Sequence, residues 1–507
     1  METNNVAKGT FQIALTNAFQ YLIMGIFYIV VTKTNALTPT DLGVLSILSF
    51  LASTFSLLTG IGLPTALTKF ASENLGKNQR EEATAIQKTV TRTVLMLSAG
   101  GFAIAALSSG LLSQYLWNTP TYATLIIFVL IYGFLFNMTT LCNSTLRALY
   151  LFGRMAIVSI VSIILSRTIG ATLAMLNMSV QGVLIGYIAG SSIALIAALK
   201  FLRGKLPKTT NNAPLKPLLR FSLPLFLSSL TLLVLNWADT VILVSMTSNY
   251  ALTGIYHIVI SSVGVLSILW IPITTTIFPA LSTRYGLKKP QGVSSILKTT
   301  SRYLVYILFP SCLGLAAIAP TALTFFYGSS YTPGAMPLAI LSIATIIIAL
   351  HSLFTTTLTA IGKTGQILKI NTISALSSII MLLALVPFFE ATGAALARLA
   401  TQAISLTLAI YALRKEIKVQ LDREAVWKSA IASIATIPFL LALELTISTK
   451  LPTIQTLAIE ILTAAAIYTS SLYVLKALNK QDFELLRQTF PKPLTKYVNI
   501  LESIIVR

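Results

Sequence analysis

Charged residues are scarce in this 507-residue chain: Asp, Glu, Lys and Arg make up 10% of it, whereas a soluble protein carries roughly a quarter. Acidic residues are scarcest, with 15 Asp and Glu in all. This lack of charge excludes a water-soluble enzyme. The two cysteines, Cys142 and Cys312, lie in or beside apolar stretches, which excludes a disulfide framework or a cysteine metal site. No nucleotide-binding motif occurs, and we expect no cofactor and no metal.

Long apolar runs take the place of charge. Hydrophobic residues make up 55% of the chain, mean hydropathy is +0.82, and about 20 apolar residues suffice for one helix to cross a membrane. The first run is too long for a signal peptide and is predicted to be retained. The sequence predicts an all-α, multi-pass protein of the cell membrane. Its 14 predicted spans are Phe11–Val31, Leu42–Leu63, Thr93–Leu116, Tyr122–Leu141, Met155–Leu176, Gly182–Leu199, Phe221–Thr247, Gly254–Leu281, Tyr303–Tyr327, Ala335–Ile361, Ile370–Phe388, Gly393–Leu413, Ser429–Ile447 and Ile454–Leu475.

The basic residues are distributed unevenly between the two predicted sides of the membrane. The chain has 36 Lys and Arg and a formal net charge of +21. With a cytoplasmic N-terminus, 32 of the 36 fall in inner segments, and only Lys33 and Lys450 fall in outer loops. This bias is typical of the positive-inside rule and predicts that both termini are cytoplasmic. The excess also attracts anionic membrane lipid, so we expect no nucleic-acid partner.

The sequence repeats itself at a nearly constant spacing. Gly43-Val44-Leu45-Ser46-Ile47 is echoed by Gly254-Ile255-Tyr256-His257-Ile258, and Gly182 before the sixth span by Gly393 before the twelfth, both 211 residues later. Six spans per repeat predict two like-oriented lobes around a central cleft that binds the ligand. The predicted division is an N-lobe at 1–202, a cytoplasmic linker at 203–220, a C-lobe at 221–413, a terminal helix pair at 414–478 and a cytoplasmic tail at 479–507.

Several segments carry a resemblance to a known family. They are Asp41-Leu42-Gly43, the segment from Gly60-Ile61-Gly62-Leu63-Pro64 to Lys69-Phe70-Ala71-Ser72-Glu73, Phe221-Ser222-Leu223-Pro224 with Asp239, and Phe326-Tyr327-Gly328. From Lys8 to Leu478 the chain resembles the polysaccharide-biosynthesis or O-antigen (Wzx-like) flippases. These belong to the multidrug/oligosaccharidyl-lipid/polysaccharide (MOP) exporter superfamily. The resemblance implies a MATE-like fold and a transporter, not an enzyme, that flips a polyprenyl- or dolichyl-linked oligosaccharide. We expect a monomer working beside glycan-assembly enzymes.

Charges inside spans are the candidate functional residues, because each costs about 2.5–3.5 kcal/mol at a helix centre. Arg167 lies about 15 Å of helical rise from either end of its span, so it either faces a wet cavity, where it would bind phosphate, or pairs within its lobe. Arg398 is a second candidate phosphate ligand or an interfacial snorkelling residue. Asp239, with Asn236 one turn away, is a sugar-contacting or cation-coupling group, or else the counter-ion of Arg167 or Arg398.

Other residues and functions stay open at this point. His351 is a candidate coupling residue, although a single membrane histidine more often makes an ordinary hydrogen bond. A cation-coupled multidrug exporter is the main alternative, but it would call for a carboxylate in the N-lobe, whose six spans contain none. A membrane glycosyltransferase or polymerase would need an acidic outer loop, and the outer loops hold only Asp41 and Glu390. We expect Glu444 and Glu460 near the outer surface.

Overall fold

The computed structural model describes residues 2–117, 119–287, 290–447 and 451–477, and within these ranges it contains helices and no β-strand. The helices of the first half are α1 (Glu2–Lys33), α2 (Pro39–Gly60), α3 (Leu63–Gly76), α4 (Arg80–Leu107), α5 (Ser109–Trp117), α6 (Ala123–Ala148), α7 (Phe152–Leu173) and α8 (Ser179–Leu202). Those that follow are α9 (Leu215–Thr247), α10 (Tyr250–Val265), α11 (Ile271–Gly286), α12 (Pro290–Ala317), α13 (Ala319–Tyr327), α14 (Ala335–Ala360), α15 (Thr364–Arg414), α16 (Arg423–Ile434), α17 (Ile437–Ile447) and α18 (Thr453–Val474).

Helices overlie all of the predicted spans. Ten helical stretches of the described chain are long and apolar enough to cross a membrane, and α12 with α13, bent by 79°, would make an eleventh. The prediction of an all-helical, multi-pass membrane protein is therefore confirmed. The count of 14 crossings, the side of the termini and the domain boundaries stay predictions, and the predicted tail 479–507 lies outside the described residues.

Two of the stretches are 51 residues long and fold back on themselves. The chain from α7 to α8 reverses around the π-helical segment Ala174–Met178, where Asn177 has φ 64°. Helix α15 reverses at Glu390, which has φ 48°. Ser405 in its second half donates a hydrogen bond to Ser374 in its first half at 2.7 Å, although 31 residues of straight helix would separate them by about 46 Å. Each stretch is thus an antiparallel hairpin, as the paired spans predicted.

Small residues hold α7 and α8 in backbone contact. A Cβ added to Gly186 would lie 2.3 Å from the backbone nitrogen of Gly170, and one added to Gly190 would lie 2.4 Å from that of Ser166. Glycines at four-residue spacing allow such close approach of membrane helices, which association in lipid relies on. The close contact lies on either side of Arg167 in sequence, and it positions α8 directly against this arginine.

The repeated glycines form a reciprocal contact between the two halves of the chain. A Cβ on Gly43 of α2 would lie 1.9 Å from the carbonyl oxygen of Tyr250, and one on Gly254 of α10 would lie 1.8 Å from that of Pro39. Tyr250 follows Pro39 by the same 211 residues that separate the two glycines. A two-fold axis between α2 and α10 relates these two contacts, as expected for like-oriented repeats.

The remaining helices surround this seam. Helix α1 packs on α7 of the first half and on α10 and α11 of the second. Correspondingly, α9 packs on α2 and α3. Helices α16 to α18 pack on α12 and α13, where Arg302 and Asp422 form an ion pair of 3.6 Å. The largest apolar core contains residues of both halves, so their interface is part of the folded core.

The close approach of α7 and α8 gives a stability prediction. Gly186→Ala forces the two backbones apart, and we expect it to destabilise the protein by about 1–3 kcal/mol, the usual cost of overpacking. Gly100→Ala is the matched control, because its Cβ would meet nothing within 4 Å and alanine favours helix. Thermal unfolding of the purified protein in detergent measures both. Equal melting temperatures for the two variants would contradict the hairpin contact.

Candidate functional site

Within the described part of the chain, Arg167 is held by aromatic rings and not by a carboxylate. Its guanidinium carbon lies 4.4 Å from the ring centroid of Tyr187 on α8 and 4.9 Å from that of Phe27 on α1. One terminal nitrogen donates a hydrogen bond to the Tyr187 hydroxyl. Its Nε is buried and has no hydrogen-bond partner within the described ranges. The rings stabilise the cation through cation–π contacts, yet they leave donors of the guanidinium unused.

A cavity of about 240 Å³ lies beside Arg167 between the two halves of the chain, and we name it the central cavity. Its walls come from α1, α2, α6, α7 and α8 on one side and from α9 and α10 on the other. Residues that line it besides Arg167 include Tyr28, Ser53, Tyr132, Tyr187, Trp237 and His257. No Asp or Glu of the described residues lines it, so Arg167 makes this cavity electropositive.

A second cavity, of about 200 Å³, adjoins Arg167 within the first half, and we name it the polar cavity. Tyr132, Phe136, Arg167 and Tyr187 line both cavities. The rest of its wall is mainly hydroxyl and amide groups: Gln20, Thr139, Thr140, Asn143, Ser159, Ser162, Ser166 and Ser191. The Oδ1 atom of Asn143 is buried and has no hydrogen-bond partner in the described chain. Arg167 thus stands at the junction of an interlobe space and a hydroxyl-lined space.

His257 joins the halves at the central cavity, although we did not favour it over His351 as a site residue from the sequence. Its Nε2 lies 2.8 Å from the Tyr28 hydroxyl, and the two rings meet edge to face at 5.5 Å. The sequence did offer a signal, because His257 is three residues from the repeated Gly254 and so lies close to the same helix face. That face contacts the first half of the chain.

Arg398 is neutralised by Asp239. An Arg398 terminal nitrogen lies 2.9 Å from Asp239 Oδ2, which also accepts a hydrogen bond of 3.0 Å from Tyr256. The other carboxylate oxygen accepts one of 2.8 Å from the Thr240 backbone N–H. Asp239 is 4% exposed. Of the alternatives left open by the sequence, the geometry supports Asp239 as the counter-ion of Arg398, whose side chain is 17% exposed.

The other predicted site residues do not join Arg167. The Asn236 side chain is exposed and lines neither cavity, whereas its neighbour Trp237 lines the central one. His351 lies on α14, away from both cavities, and its Nε2 is buried without a hydrogen-bond partner in the described residues. Binding by Asn236 and Arg398 and coupling through Asp239 or His351 therefore stay predictions. Of the predicted set, Arg167 alone lies in these cavities.

The fold matches that of known transporters. The structure of the lipid II flippase MurJ in an inward closed conformation superposes with a TM-score of 0.73 at 16% identity, covering 92% of this chain and 98% of that one. An inward-facing multidrug-resistance MATE transporter of the MOP superfamily superposes with a TM-score of 0.63 at 13% identity, covering 80% of this chain and 99% of that one. At these identities the likeness is one of fold. The predicted MOP fold is confirmed.

The sequence comparisons are more specific. The family model described as "Polysaccharide biosynthesis protein" matches residues 6–284, more than half of the chain, and the chain belongs to this family. The "Probable flippase AglR" of Haloferax volcanii is 25% identical over 196 residues, which are 38% of this chain and 41% of that protein. The match therefore spans about two-fifths of the length of this relative.

Measurements of stability can test whether the Arg398–Asp239 ion pair has a structural role. Asp239→Asn leaves a buried guanidinium without its carboxylate, and we expect a loss of about 3–5 kcal/mol of stability. Combining it with Arg398→Gln should recover part of that loss, because no unpaired charge remains. Unfolding in detergent micelles measures the double-mutant cycle.

The control for that cycle is an exposed pair. Glu73 and Lys77 lie 2.9 Å apart on α3 with exposed side chains, and exposed pairs contribute little. We expect Glu73→Gln to unfold like the parent. If Asp239→Asn also unfolds like the parent, the buried pair is not structural.

Proposed function

We propose that the protein is a flippase that moves a lipid-linked oligosaccharide across the cell membrane by alternating access, in the assembly of a polysaccharide or glycan. The observation that carries the proposal is Arg167: a cation in the membrane domain, at a cavity between the two halves, with no carboxylate lining that cavity. An intramembrane charge persists only with a partner or a watery pathway. A transported anion supplies the partner that the described residues do not.

Phosphate is the anion that fits Arg167 best. A guanidinium presents its N–H groups in a planar fork that matches phosphate oxygens, and it stays protonated in any protein environment. The guanidinium carbon lies over the rings of Phe27 and Tyr187, and its Nε has no hydrogen-bond partner in the described residues. The phosphate or pyrophosphate of a polyprenyl or dolichyl carrier is thus the proposed ligand of Arg167.

The polar cavity suits the sugar part of the same molecule. Sugars offer many hydroxyl groups, and each must exchange a hydrogen bond to water for one to the protein. The serine, threonine, asparagine and glutamine side chains of this cavity provide donors and acceptors within reach of Arg167. In this arrangement the oligosaccharide occupies the polar space, the phosphate binds at Arg167, and the hydrocarbon tail remains in lipid.

Alternating access follows from the two-half architecture. The halves meet through the reciprocal glycine contact at one end of α2 and α10. They also meet between α3 and α9, where the rings of Phe70 and Phe221 are 5.5 Å apart. Rocking one half against the other would open these contacts in turn around the central cavity. With no nucleotide-binding motif in the sequence, we propose that an ion gradient, the membrane potential or product consumption supplies the energy. We propose a monomer that works with glycan-assembly enzymes.

A cation-coupled multidrug exporter is the second candidate, because MATE transporters share the fold. A site for lipophilic cations would need negative charge, and the described cavities beside Arg167 are lined by no carboxylate. The third candidate, a membrane glycosyltransferase or polymerase, has less support. Asp41 caps α2, where its carboxylate accepts the Thr38 N–H at 2.9 Å, and Glu390 forms the reversal of α15.

The first test removes the charge of Arg167. Reconstituted in liposomes, the parent should translocate a fluorescent polyprenyl-pyrophosphate oligosaccharide. Arg167→Gln should slow it at least about tenfold, since a hydrogen bond to a charged group contributes about 1.5–3 kcal/mol. Arg167→Lys should fall between, because it keeps the charge and loses the fork. Loss of fluorescence to a membrane-impermeant quencher outside the liposomes reports the rate.

Two controls accompany this test. Arg92→Gln removes an exposed arginine of the same half that lines neither cavity, and it should transport like the parent. A neutral lipid with the same tail and sugar but no phosphate should be a poor substrate for every variant. Unchanged transport by Arg167→Gln would refute the role of this residue. Export of cationic dyes, without flipping of the pyrophosphate lipid, would favour the second candidate.

The second test addresses the sugar. Asn143→Leu removes an amide from the polar cavity and should slow flipping of the lipid-linked oligosaccharide several-fold. Polyprenyl phosphate without sugar should move at the parental rate, because its headgroup needs only Arg167. Rates of the two lipids, measured in the same liposomes, give the comparison. An equal effect on both lipids would place the sugar elsewhere.

A further inference from the structure

A further cavity lies at the ends of helices of the second half, away from Arg167, and we name it the basic cavity. Its volume of about 400 Å³ exceeds that of either cavity beside Arg167. The first turn of α12 forms one wall, and the connection from the end of α15 towards α16 forms the other. Polar and charged side chains dominate the lining, so it suits a charged ligand: Gln291, Ser294, Arg414, Lys415, Glu416, Ile417, Lys418 and Gln420.

Three cations line the basic cavity without a carboxylate partner among the described residues. All three side chains are exposed: Arg414, Lys415 and Lys418. The carboxylate in the described wall, that of Glu416, is engaged elsewhere. Its Oε1 lies 2.8 Å from Nζ of Lys363 and accepts a hydrogen bond of 3.3 Å from Gln366. The basic cavity therefore carries a net positive charge.

The segment that carries these cations is held by a buried side chain and by a backbone contact. Ile417 is 5% exposed and packs in an apolar core with residues of α12 and α14. Ser294 of α12, which is 4% exposed, donates a hydrogen bond of 2.6 Å to the Lys418 carbonyl. The backbone of Arg414 to Lys418 is thus held in place before a ligand arrives, and such preorganisation lowers the entropic cost of binding.

Two exposed aromatic side chains indicate that the basic cavity lies at the level of the lipid headgroups. Tyr411, four residues before Lys415, is 61% exposed, and the Lys415 Nζ lies 4.3 Å from the centroid of its ring. Trp427, one turn into α16, is 67% exposed. Exposed Tyr and Trp of membrane proteins concentrate at the boundary between hydrocarbon and headgroups. A cation one helical turn beyond this boundary meets lipid phosphates.

We propose that the basic cavity binds the phosphate of an anionic membrane lipid. The Arg414 guanidinium presents a planar fork that matches phosphate oxygens, and Lys415 and Lys418 add two point charges. Basic pockets between the ends of membrane helices suit anionic headgroups. A soluble phosphate has the same charge, but the exposed ring of Tyr411 favours a ligand whose chains lie in the bilayer. The site is separate from Arg167, so it stands or falls independently of the proposed substrate.

Native mass spectrometry of the full chain, with phosphatidylglycerol added in detergent, tests the site. It counts the bound lipids and gives the affinity of the tightest one. Arg414→Gln, Lys415→Gln and Lys418→Gln combined should weaken that affinity at least about tenfold, because each removes a charged donor to phosphate. Phosphatidylcholine, whose headgroup has no net charge, should bind the parent and this variant equally. Inorganic phosphate at the concentration of the lipid should not displace the lipid.

The matched control removes three charges from the first half. Arg203 corresponds to Arg414 at the repeat spacing of 211 residues, and it is exposed together with Lys205 and Lys208 in a segment that lines none of the cavities described above. Arg203→Gln, Lys205→Gln and Lys208→Gln combined give the same net charge as the first triple variant. We expect the parental lipid affinity, because the basic cavity is intact.

A variant of opposite sign keeps the test decisive should the first triple variant fold poorly. Glu416→Gln removes a carboxylate from the wall of the basic cavity, and a like charge near a bound phosphate opposes binding. The affinity for phosphatidylglycerol should therefore rise at least about twofold. Poor folding would not strengthen binding at the cavity.

Three results would overturn the proposal. The first is equal weakening by the two triple variants, which would assign lipid binding to the overall charge of the chain. The second is a lipid affinity that neither the first triple variant nor Glu416→Gln changes. The third is displacement of the lipid by inorganic phosphate at the concentration of the lipid, which would assign the cavity to a soluble anion.

Discussion

The structure is organised around a positive charge that has no counter-charge among the described residues. A guanidinium in the membrane interior must be hydrated, paired or bound, and Arg167 meets two rings, one hydroxyl and two cavities. Burying it further would leave its donors unsatisfied, and pairing it would remove the field that attracts an anion. The glycine contact between α7 and α8 serves this arrangement, because only close backbones let Tyr187 reach the arginine. A contact between uncharged glycines thus positions the side chains around Arg167.

Much of the fold could be predicted because lipid imposes a simple rule. Apolar length and basic loops identify helices without any knowledge of tertiary contacts, and the predicted spans coincide with helices. Details that depend on tertiary contacts could not be predicted in this way. The left-handed backbone at Asn177 and Glu390 makes tight reversals without Gly or Pro at those positions. The bend between α12 and α13, by contrast, has a local signal, because Pro320 at the start of α13 has no backbone N–H to continue the preceding helix.

The sequence predicts the charged residue of the site but not its uncharged polar residues. Arg167 is conspicuous in an apolar helix, whereas the hydroxyl groups of the polar cavity are not. Serines in membrane helices commonly bond to their own backbone, as Ser53 does to the Ser49 carbonyl at 2.8 Å, so nothing in the sequence distinguishes a cavity serine from a packing serine. The sequence likewise does not identify the pairing of Asp239 with Arg398. It joins helices distant in sequence, and only the packed structure selects among possible partners.

The reciprocal contact of Gly43 and Gly254 is the kind that a symmetric dimer makes, in which one surface meets its own copy. Here the two surfaces belong to the two repeats of one chain. At the same spacing of 211 residues, Tyr28 corresponds to Asp239 and Tyr187 to Arg398. The second half thus has the Arg398–Asp239 ion pair at the positions where the first half has Tyr187 and Tyr28. The second half has Ser378 at the position that corresponds to Arg167. Two halves with the same fold thus differ in charge: within the described residues, the arginine of the second half has a carboxylate partner and Arg167 of the first half has rings and a hydroxyl instead.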